Sequence, residues 1–260
     1  MLKQIVTITS VFLLLLGLFP VQSEVRDDSA AKTFLETKTK LDSAITNGDK
    51  QELIAAKNNF EGFIPNHEYS MLANYYIAYA NYRLSSLFSD IPEDRKEQYL
   101  NASIKKLEKV TEMDPTFAEG WALLGNCYGM KATGMISGMR YGPKSENAIK
   151  KALALVPQNP RVTMINGISL MYKPAMFGGS IEKAIKTFKK ARDYFGQWSS
   201  SSEPYPDWGE AENYAWLAQA YIEQERLALA KEAYQTALQI DPDYYWVKEV
   251  LLPELQQKME

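Results

Sequence analysis

Hydrophobic residues recur at helical spacing along nearly the whole chain after residue 24, and no stretch alternates apolar and polar positions as a β-strand would. Turn and helix-cap signals divide this pattern into segments of helical length that pair as hairpins. The signals lie at residues 47–49, 65–66, 90–92, 114–115, 157–160, 178–180 and 241–242. The sequence therefore predicts an all-α chain.

Small and aromatic residues recur at fixed offsets inside three of these helix pairs. Small residues let two helices approach closely, and aromatic residues fill the space between neighbouring pairs. The residues in chain order are Trp121, Leu124, Gly125, Tyr128, Ser145, Ile149, Ala152 and Pro157; Gly167, Ala184, Phe188 and Ala191; and Tyr214, Leu217, Ala218, Tyr221, Ala230, Tyr234, Ala237 and Pro242.

This pattern resembles the tetratricopeptide repeat (TPR), a helix pair that stacks with copies of itself. The resemblance implies a TPR-like superhelical solenoid of about five helix pairs. Clear repeats are predicted at about 118–157, 160–196 and 211–242, with degenerate pairs over 28–115. Residues 243–260 are predicted to be a capping helix, so that 24–260 form a single domain.

The first 23 residues have the order of a secretory signal peptide. Lys3 precedes an apolar run from Ile5 to Phe19, and Pro20 and Ser23 follow. The run is shorter than the roughly 18 to 20 residues that span a bilayer, so we predict cleavage before Glu24 and no stable membrane span afterwards. The expected location is periplasmic or secreted.

Charge and residue counts exclude several kinds of function. Lys and Arg number 29 against 32 Asp and Glu, a net charge of −3, which does not predict nucleic-acid binding. The chain has one cysteine, Cys127, and one histidine, His67, so we predict no zinc site, no cofactor and no catalytic residues. A Cu(I) site formed by Cys127 with nearby methionines is the less favoured alternative to a buried thiol.

The repeats are longer than the usual TPR period, and the extra residues predict a site. Equivalent small positions at Val110, Ala152, Ala191 and Ala237 are 42, 39 and 46 residues apart, against about 34. Two of the insertions fall in turns within repeats, which stack along one edge of a solenoid. The predicted binding residues there are Met139, Arg140, Tyr141, Tyr172, Phe177, Gly178 and Gly179.

The residues around these insertions leave two structural alternatives. Residues 129–143 contain too many glycines for a stable helix interior, which predicts a mobile lid over a ligand. In the alternative, which is favoured, Met135, Met139, Met176 and Phe177 plug the edge of the solenoid. Between repeats, Trp198 and Trp208 either stack on a ligand or pin the long loop, and pinning is favoured.

Helical spacing also places a largely apolar groove on the inner face. Its predicted contact residues are Asn126, Arg161, Met171 and Gln219. Such a groove suits a peptide or an amphipathic helix. We therefore predict a non-enzymatic TPR scaffold outside the cytoplasm whose partner is a protein or peptide.

The alternative is a periplasmic accessory protein that binds a small organic molecule for a transport system. Phe177-Gly178-Gly179, followed by a helix with lysine and alanine, resembles the periplasmic TPR component of TRAP-type transporters. That resemblance implies a ligand pocket and uptake of a small organic ligand.

Overall fold

The computed structural model of the protein describes residues 28–198 and 204–260, and their regular structure is entirely helical. The predicted signal peptide lies outside these residues. The helices are α1 (Asp28–Asn47), α2 (Lys50–Glu61), α3 (Ser70–Ser86), α4 (Glu93–Met113), α5 (Ala118–Lys131), α6 (Met135–Leu155), α7 (Pro160–Tyr172), α8 (Ile181–Phe195), α9 (Glu210–Ile222), α10 (Leu227–Ile240) and α11 (Leu252–Met259). A π-helical turn, Trp246–Leu251, leads into α11, in whose first turn Pro253 lies.

Consecutive helices pack as hairpins, and the hairpins stack into a solenoid of the TPR type. Close packing inside the hairpins depends on two glycines. A Cβ atom at Gly125 of α5 would lie 2.6 Å from Ile149 of α6, and one at Gly167 of α7 would lie 2.6 Å from the Phe188 ring of α8. These contacts explain why small residues occupy these positions of the repeat.

Polar side chains at the turns fix where several helices begin. Asp49 accepts hydrogen bonds from the backbone amides of Gln51 and Glu52 and so caps α2. Asn159 accepts from the amide of Val162 at the start of α7, where Pro160 occupies the first helical position.

The two ends of the solenoid contact each other. Thr46, at the end of α1, donates a 2.9 Å hydrogen bond to Asp241, which follows α10. The Tyr245 ring stacks on Phe88 at 6.3 Å between centroids and covers Gly48, where a Cβ atom would clash with it. The superhelix therefore closes across its concave face instead of remaining open.

The segment 204–209 fills the closed concave face. Trp208 stacks on Tyr79 at 4.7 Å and donates a 3.1 Å hydrogen bond to the hydroxyl of Tyr75. Tyr76 donates a 2.6 Å hydrogen bond to the carbonyl of Pro204, and Lys38 is 2.6 Å from Asp207. The prediction that Trp208 pins the inter-repeat loop is confirmed.

Helix α6 begins earlier than the glycine content predicts. Residues 135–155 are helical although Gly138, Gly142 and Pro143 lie within them, so the expectation that 129–143 cannot form a helix interior is wrong. The amide of Gly134 donates a 2.9 Å hydrogen bond to Ser137 Oγ in the first turn. The packed remainder of α6 supplies a nucleus from which the helix extends through these weak helix formers.

Candidate functional site

Six large apolar side chains are exposed on one edge of the solenoid. Their exposed fractions run from 65% for Tyr172 to 85% for Met135 and Ile136. We call this set the apolar edge, and its members are Met135, Ile136, Met139, Tyr172, Met176 and Phe177. Isolated exposed apolar residues are common, whereas larger exposed apolar patches are typical of interaction sites, so the apolar edge is the candidate site.

The first turns of α6 project from the body of the solenoid. Lys173, just after the end of α7, forms an ion pair with Glu146 of α6, which brings the end of α7 level with that residue. Met135 precedes Glu146 by eleven residues, about 16 Å along a helix. The turn between α7 and α8 begins at Lys173, so its apolar residues lie near Glu146 at the base of this projecting part, and Met135 lies at its far end.

The body of the protein holds α6 firmly at its base. Ser145 Oγ donates a 2.7 Å hydrogen bond to the carbonyl of Gly125, and Tyr141 stacks on Tyr128 at 6.0 Å. The hydrogen bond from Lys173 lowers the pKa of Glu146, which keeps this carboxylate charged. The base of α6 is therefore held by the body of the protein, and the projecting residues before it are helical and not an irregular loop.

The turn between α7 and α8 is shaped by two glycines. Ala175–Phe177 form one 3-10 turn that ends at Gly178, whose φ of +92° is strained for other residues. A Cβ atom at Gly179 would collide with the carbonyl of Lys173. This tight turn leaves the side chains of Met176 and Phe177 outside the body of the protein.

The structure places the predicted site residues in two separate regions. Met139, Arg140, Tyr172, Phe177 and Gly178 are exposed at the projecting edge, and Tyr141 and Gly179 are half-buried beside them. The remaining four predicted residues, Asn126, Arg161, Met171 and Gln219, belong to the inner helices α5, α7 and α9.

The expectation of an open inner groove needs correction. Arg161 is only 1% exposed, because Glu119 at 3.5 Å, the Trp208 carbonyl at 3.3 Å and the Trp198 ring surround its guanidinium. Asn126 is buried in α5. The segment 204–209, distant in sequence, fills the space that repeat spacing alone leaves open.

The other two predicted groove residues also make contacts within the chain. Gln219 donates a hydrogen bond to the hydroxyl of Tyr234. Met171 is half-buried and packs against the C-terminal hydrophobic core. Among the residues that the structure describes, the predicted groove therefore supplies internal packing, and the apolar edge is the accessible surface.

The structure contradicts the favoured alternative for the methionine-rich edge and removes the basis of the other, since residues 135–143 are helical. Met135, Met139, Met176 and Phe177 do not plug the solenoid, because most of their surface is exposed. The plug interpretation is wrong, since the first turns of α6 extend past the neighbouring helices. Sequence reasoning also missed Ile136 and Lys144, although the first directly follows Met135 and the second lies five residues after Met139.

The chemistry-bearing residues elsewhere have structural roles. Cys127 is fully buried with its sulfur 3.5 Å from Ser103 Oγ, as the buried-thiol prediction requires. Within residues 28–198 and 204–260, no group of three or more His, Cys, Asp or Glu side chains is arranged to hold a metal ion. No helix in the same ranges combines the length and apolar character needed to cross a bilayer.

Comparisons with known proteins agree with this architecture. The tetratricopeptide repeat family model matches residues 211–244, which cover α9 from its second residue and the whole of α10. No curated protein matches the chain in sequence.

Two solved structures resemble the fold with a TM-score of 0.58 each. One is TTC0263, a thermophilic TPR protein of Thermus thermophilus, which is 18% identical, with 88% of this chain and 96% of that chain covered. The other is the HusA haemophore from Porphyromonas gingivalis, which is 21% identical, with 74% of this chain and 93% of that chain covered. At these identities the likeness establishes the TPR solenoid fold alone.

Proposed function

We propose that this protein is a non-enzymatic TPR scaffold that acts outside the cytoplasm and binds a protein partner through its apolar edge. The observation that carries the proposal is the exposure of Met135, Ile136, Met139, Met176 and Phe177 on one edge. TPR solenoids commonly serve as protein-binding scaffolds. The partner binds at the edge because the protein's own side chains occupy the concave face.

Burial of this edge provides the driving force for association. Complete burial of a methionine, isoleucine or phenylalanine side chain contributes about 1.5–3 kcal/mol, part of which offsets the loss of motional freedom on binding. Because α6 is already attached to the body of the protein at Ser145 and Tyr141, less conformational entropy is lost when a partner binds. Methionine adapts to varied partner surfaces, which suits a docking role.

The proposed location depends on the leader at residues 1–23. Mass spectrometry of the protein from its own cells tests it, and we expect a mature chain that begins at Glu24. A chain that retains residues 1–23 in the cytoplasmic fraction would contradict the location without affecting the binding surface.

Site-specific photocrosslinking in the producing cells tests the binding surface. A photoreactive residue at position 139 or 177 should give a discrete protein adduct, and Met135→Asp should abolish it. The matched control is position 158, an exposed residue in the turn between α6 and α7 at the opposite end of those helices. Absence of adducts from both edge positions, or equal adducts from position 158, would contradict the proposal.

A second candidate is a periplasmic accessory protein that binds a small organic ligand for transport. It is favoured by the thioethers and the phenol on the edge, since Met and Tyr side chains ligate haem iron. The structurally similar HusA protein is a haemophore. Titration with haemin tests this candidate: a shifted Soret band that is lost in Met135→Ala and Met139→Ala would favour it, and an unchanged spectrum would exclude haem.

A further inference from the structure

The projecting part of α6 has an exposed helical face that no other part of the described chain covers. The exposed residues follow two rows at i, i+4 spacing, Met135, Met139 and Pro143 in one and Ile136, Arg140 and Lys144 in the other. Such rows are the ridges against which another helix packs. This face is apolar near the start of α6 and basic toward Lys144.

The charge of the two insertions has one sign. Residues 129–145 contain Lys131, Arg140 and Lys144 but no Asp or Glu, and residues 172–181 contain only Lys173. Lys131 pairs with Glu97 at 2.7 Å and Lys173 pairs with Glu146. Arg140 and Lys144 instead lie near aromatic rings, with the Arg140 guanidinium 5.2 Å from Tyr141 and the Lys144 ammonium 5.2 Å from Tyr128. Both cations therefore remain available to acidic groups of a partner.

Two glycines beside the exposed rows are not explained by packing within the chain. At Gly138 and Gly142 an added Cβ atom would meet no described atom within 4 Å other than those of its chain neighbours and of the adjacent helix backbone, in contrast to the tight sites at Gly125 and Gly167. Helix propensity also disfavours glycine at these positions. They flank the methionine row and leave room for another backbone to approach it closely.

We infer that the partner element is an amphipathic α-helix with acidic side chains, which lies along the exposed rows of α6. This inference rests on the proposed function and adds the chemistry of its partner. The apolar stripe of that helix covers Met135, Ile136 and Met139, while its carboxylates pair with Arg140 and Lys144. A second copy of this chain is a poor occupant, since its corresponding face is also basic and like charges would meet.

A charge-exchange experiment tests the inference. The probe is a fluorescent helical peptide of about 18 residues with a leucine stripe flanked by glutamates, compared with a twin that has lysines in their place. Fluorescence anisotropy should give at least about tenfold tighter binding of the glutamate peptide to the native protein. The variant Arg140→Glu/Lys144→Glu should reverse this preference.

The matched control is Lys105→Glu/Lys109→Glu on α4, which changes two exposed lysines at the same i, i+4 spacing. It should leave the peptide preference unchanged. Gly138→Ala/Gly142→Ala provides a second variant, which should raise the unfolding temperature of the protein and yet weaken binding of the glutamate peptide. Weaker binding by a more stable protein cannot result from misfolding.

Three outcomes would overturn the inference: equal affinity for the two peptides, no reversal by the charge variant, or binding to phosphatidylglycerol vesicles in preference to the glutamate peptide. The proposed function is judged separately by the crosslinked adducts from positions 139 and 177. If those adducts persist in Arg140→Glu/Lys144→Glu, the partner is not the acidic helix inferred, although the edge remains a protein-binding surface. If no adducts form in the native background, the proposed function itself fails.

Discussion

Arg83 and Glu212 are 129 positions apart in the sequence, and the guanidinium Nη1 of Arg83 donates a 2.9 Å hydrogen bond to Glu212 Oε1 in the protein interior. Both side chains are buried. The Arg83 guanidinium also lies 4.9 Å from the Tyr79 ring and 5.6 Å from the Trp208 ring. This ion pair links the Tyr-rich helix α3 to α9 across the concave face.

Removal of one partner of this pair should destabilise the protein strongly. Arg83→Met leaves the Glu212 carboxylate buried without its cation, and we expect a loss of about 3–5 kcal/mol in the free energy of unfolding. Arg83→Met/Glu212→Met removes both charges, so its free energy of unfolding should fall by less than that of the single variant. Urea unfolding measures both, with Lys105→Met as an exposed control; a double variant less stable than Arg83→Met would contradict this account.

Closure of the two ends can be tested at Gly48. Its φ of +67° disfavours any other residue, and a Cβ atom there would clash with the Tyr245 ring. Gly48→Ala should therefore lower the free energy of unfolding by about 2 kcal/mol. Gly138→Ala is the matched control, since its site in α6 is open and alanine favours a helix; it should stabilise by about 0.5–1 kcal/mol. Equal effects of the two substitutions would contradict both the strained backbone of Gly48 and its closure by the Tyr245 ring.

The stability of the protein should depend on the ionisation of Asp42. Burial raises the pKa of Asp42 to about 6, against the attraction of Lys38, which lies 3.0 Å away. Because the folded state holds this proton more tightly than the unfolded state, the contribution of Asp42 to stability falls as pH rises from about 4 to 6.

Comparison with Asp42→Asn isolates that contribution. As the pH rises over this range, the free energy of unfolding of the native protein should fall by about 1–2 kcal/mol relative to that of the variant. This figure is reduced to allow for the solvent exposure of the side chain. Urea unfolding at both ends of the range provides the measurement. A difference between the two proteins that does not change with pH would place the pKa of Asp42 near its ordinary value.

The thiol of Cys127 should be unreactive in the folded protein. Burial raises its pKa to about 12, despite the opposing hydrogen bond with Ser103. The thiolate is the reactive form, and at pH 8 almost none is present. A disulfide reagent should therefore label no thiol in the native protein and one thiol per chain in urea. Rapid labelling in native buffer would indicate that α5 opens locally.

The fold was predictable because close contacts between neighbouring helices require small residues at fixed positions of each repeat. Gly125 packs on Ile149 and Gly167 on Phe188, and both glycines occupy the small position of the repeat. Such contacts join neighbouring helices at regular spacing, so periodicity alone reveals them.

The site was only partly predictable, since its exposure depends on distant contacts. Met139 and Phe177 were identified from the insertions that contain them. The burial of Arg161, in contrast, depends on Trp208, 47 positions away, and no repeat pattern encodes that contact. The early start of α6 was not predicted, because the glycine content of residues 129–143 suggested that no helix forms there. The packed end of the helix nevertheless stabilises its first turns, since extending an existing helix costs less than starting one.

The contact of Tyr245 with Gly48 has a consequence for how this protein can change in size. Open repeat arrays grow or shrink by whole units, because each unit contacts only its neighbours. Here an additional helix pair would separate Tyr245 from Gly48 and Arg83 from Glu212. Duplication of a repeat would therefore remove the contacts that join the two ends of the solenoid. We expect related proteins to keep the same number of helix pairs and to vary in the length of their turns, where the apolar edge itself arose.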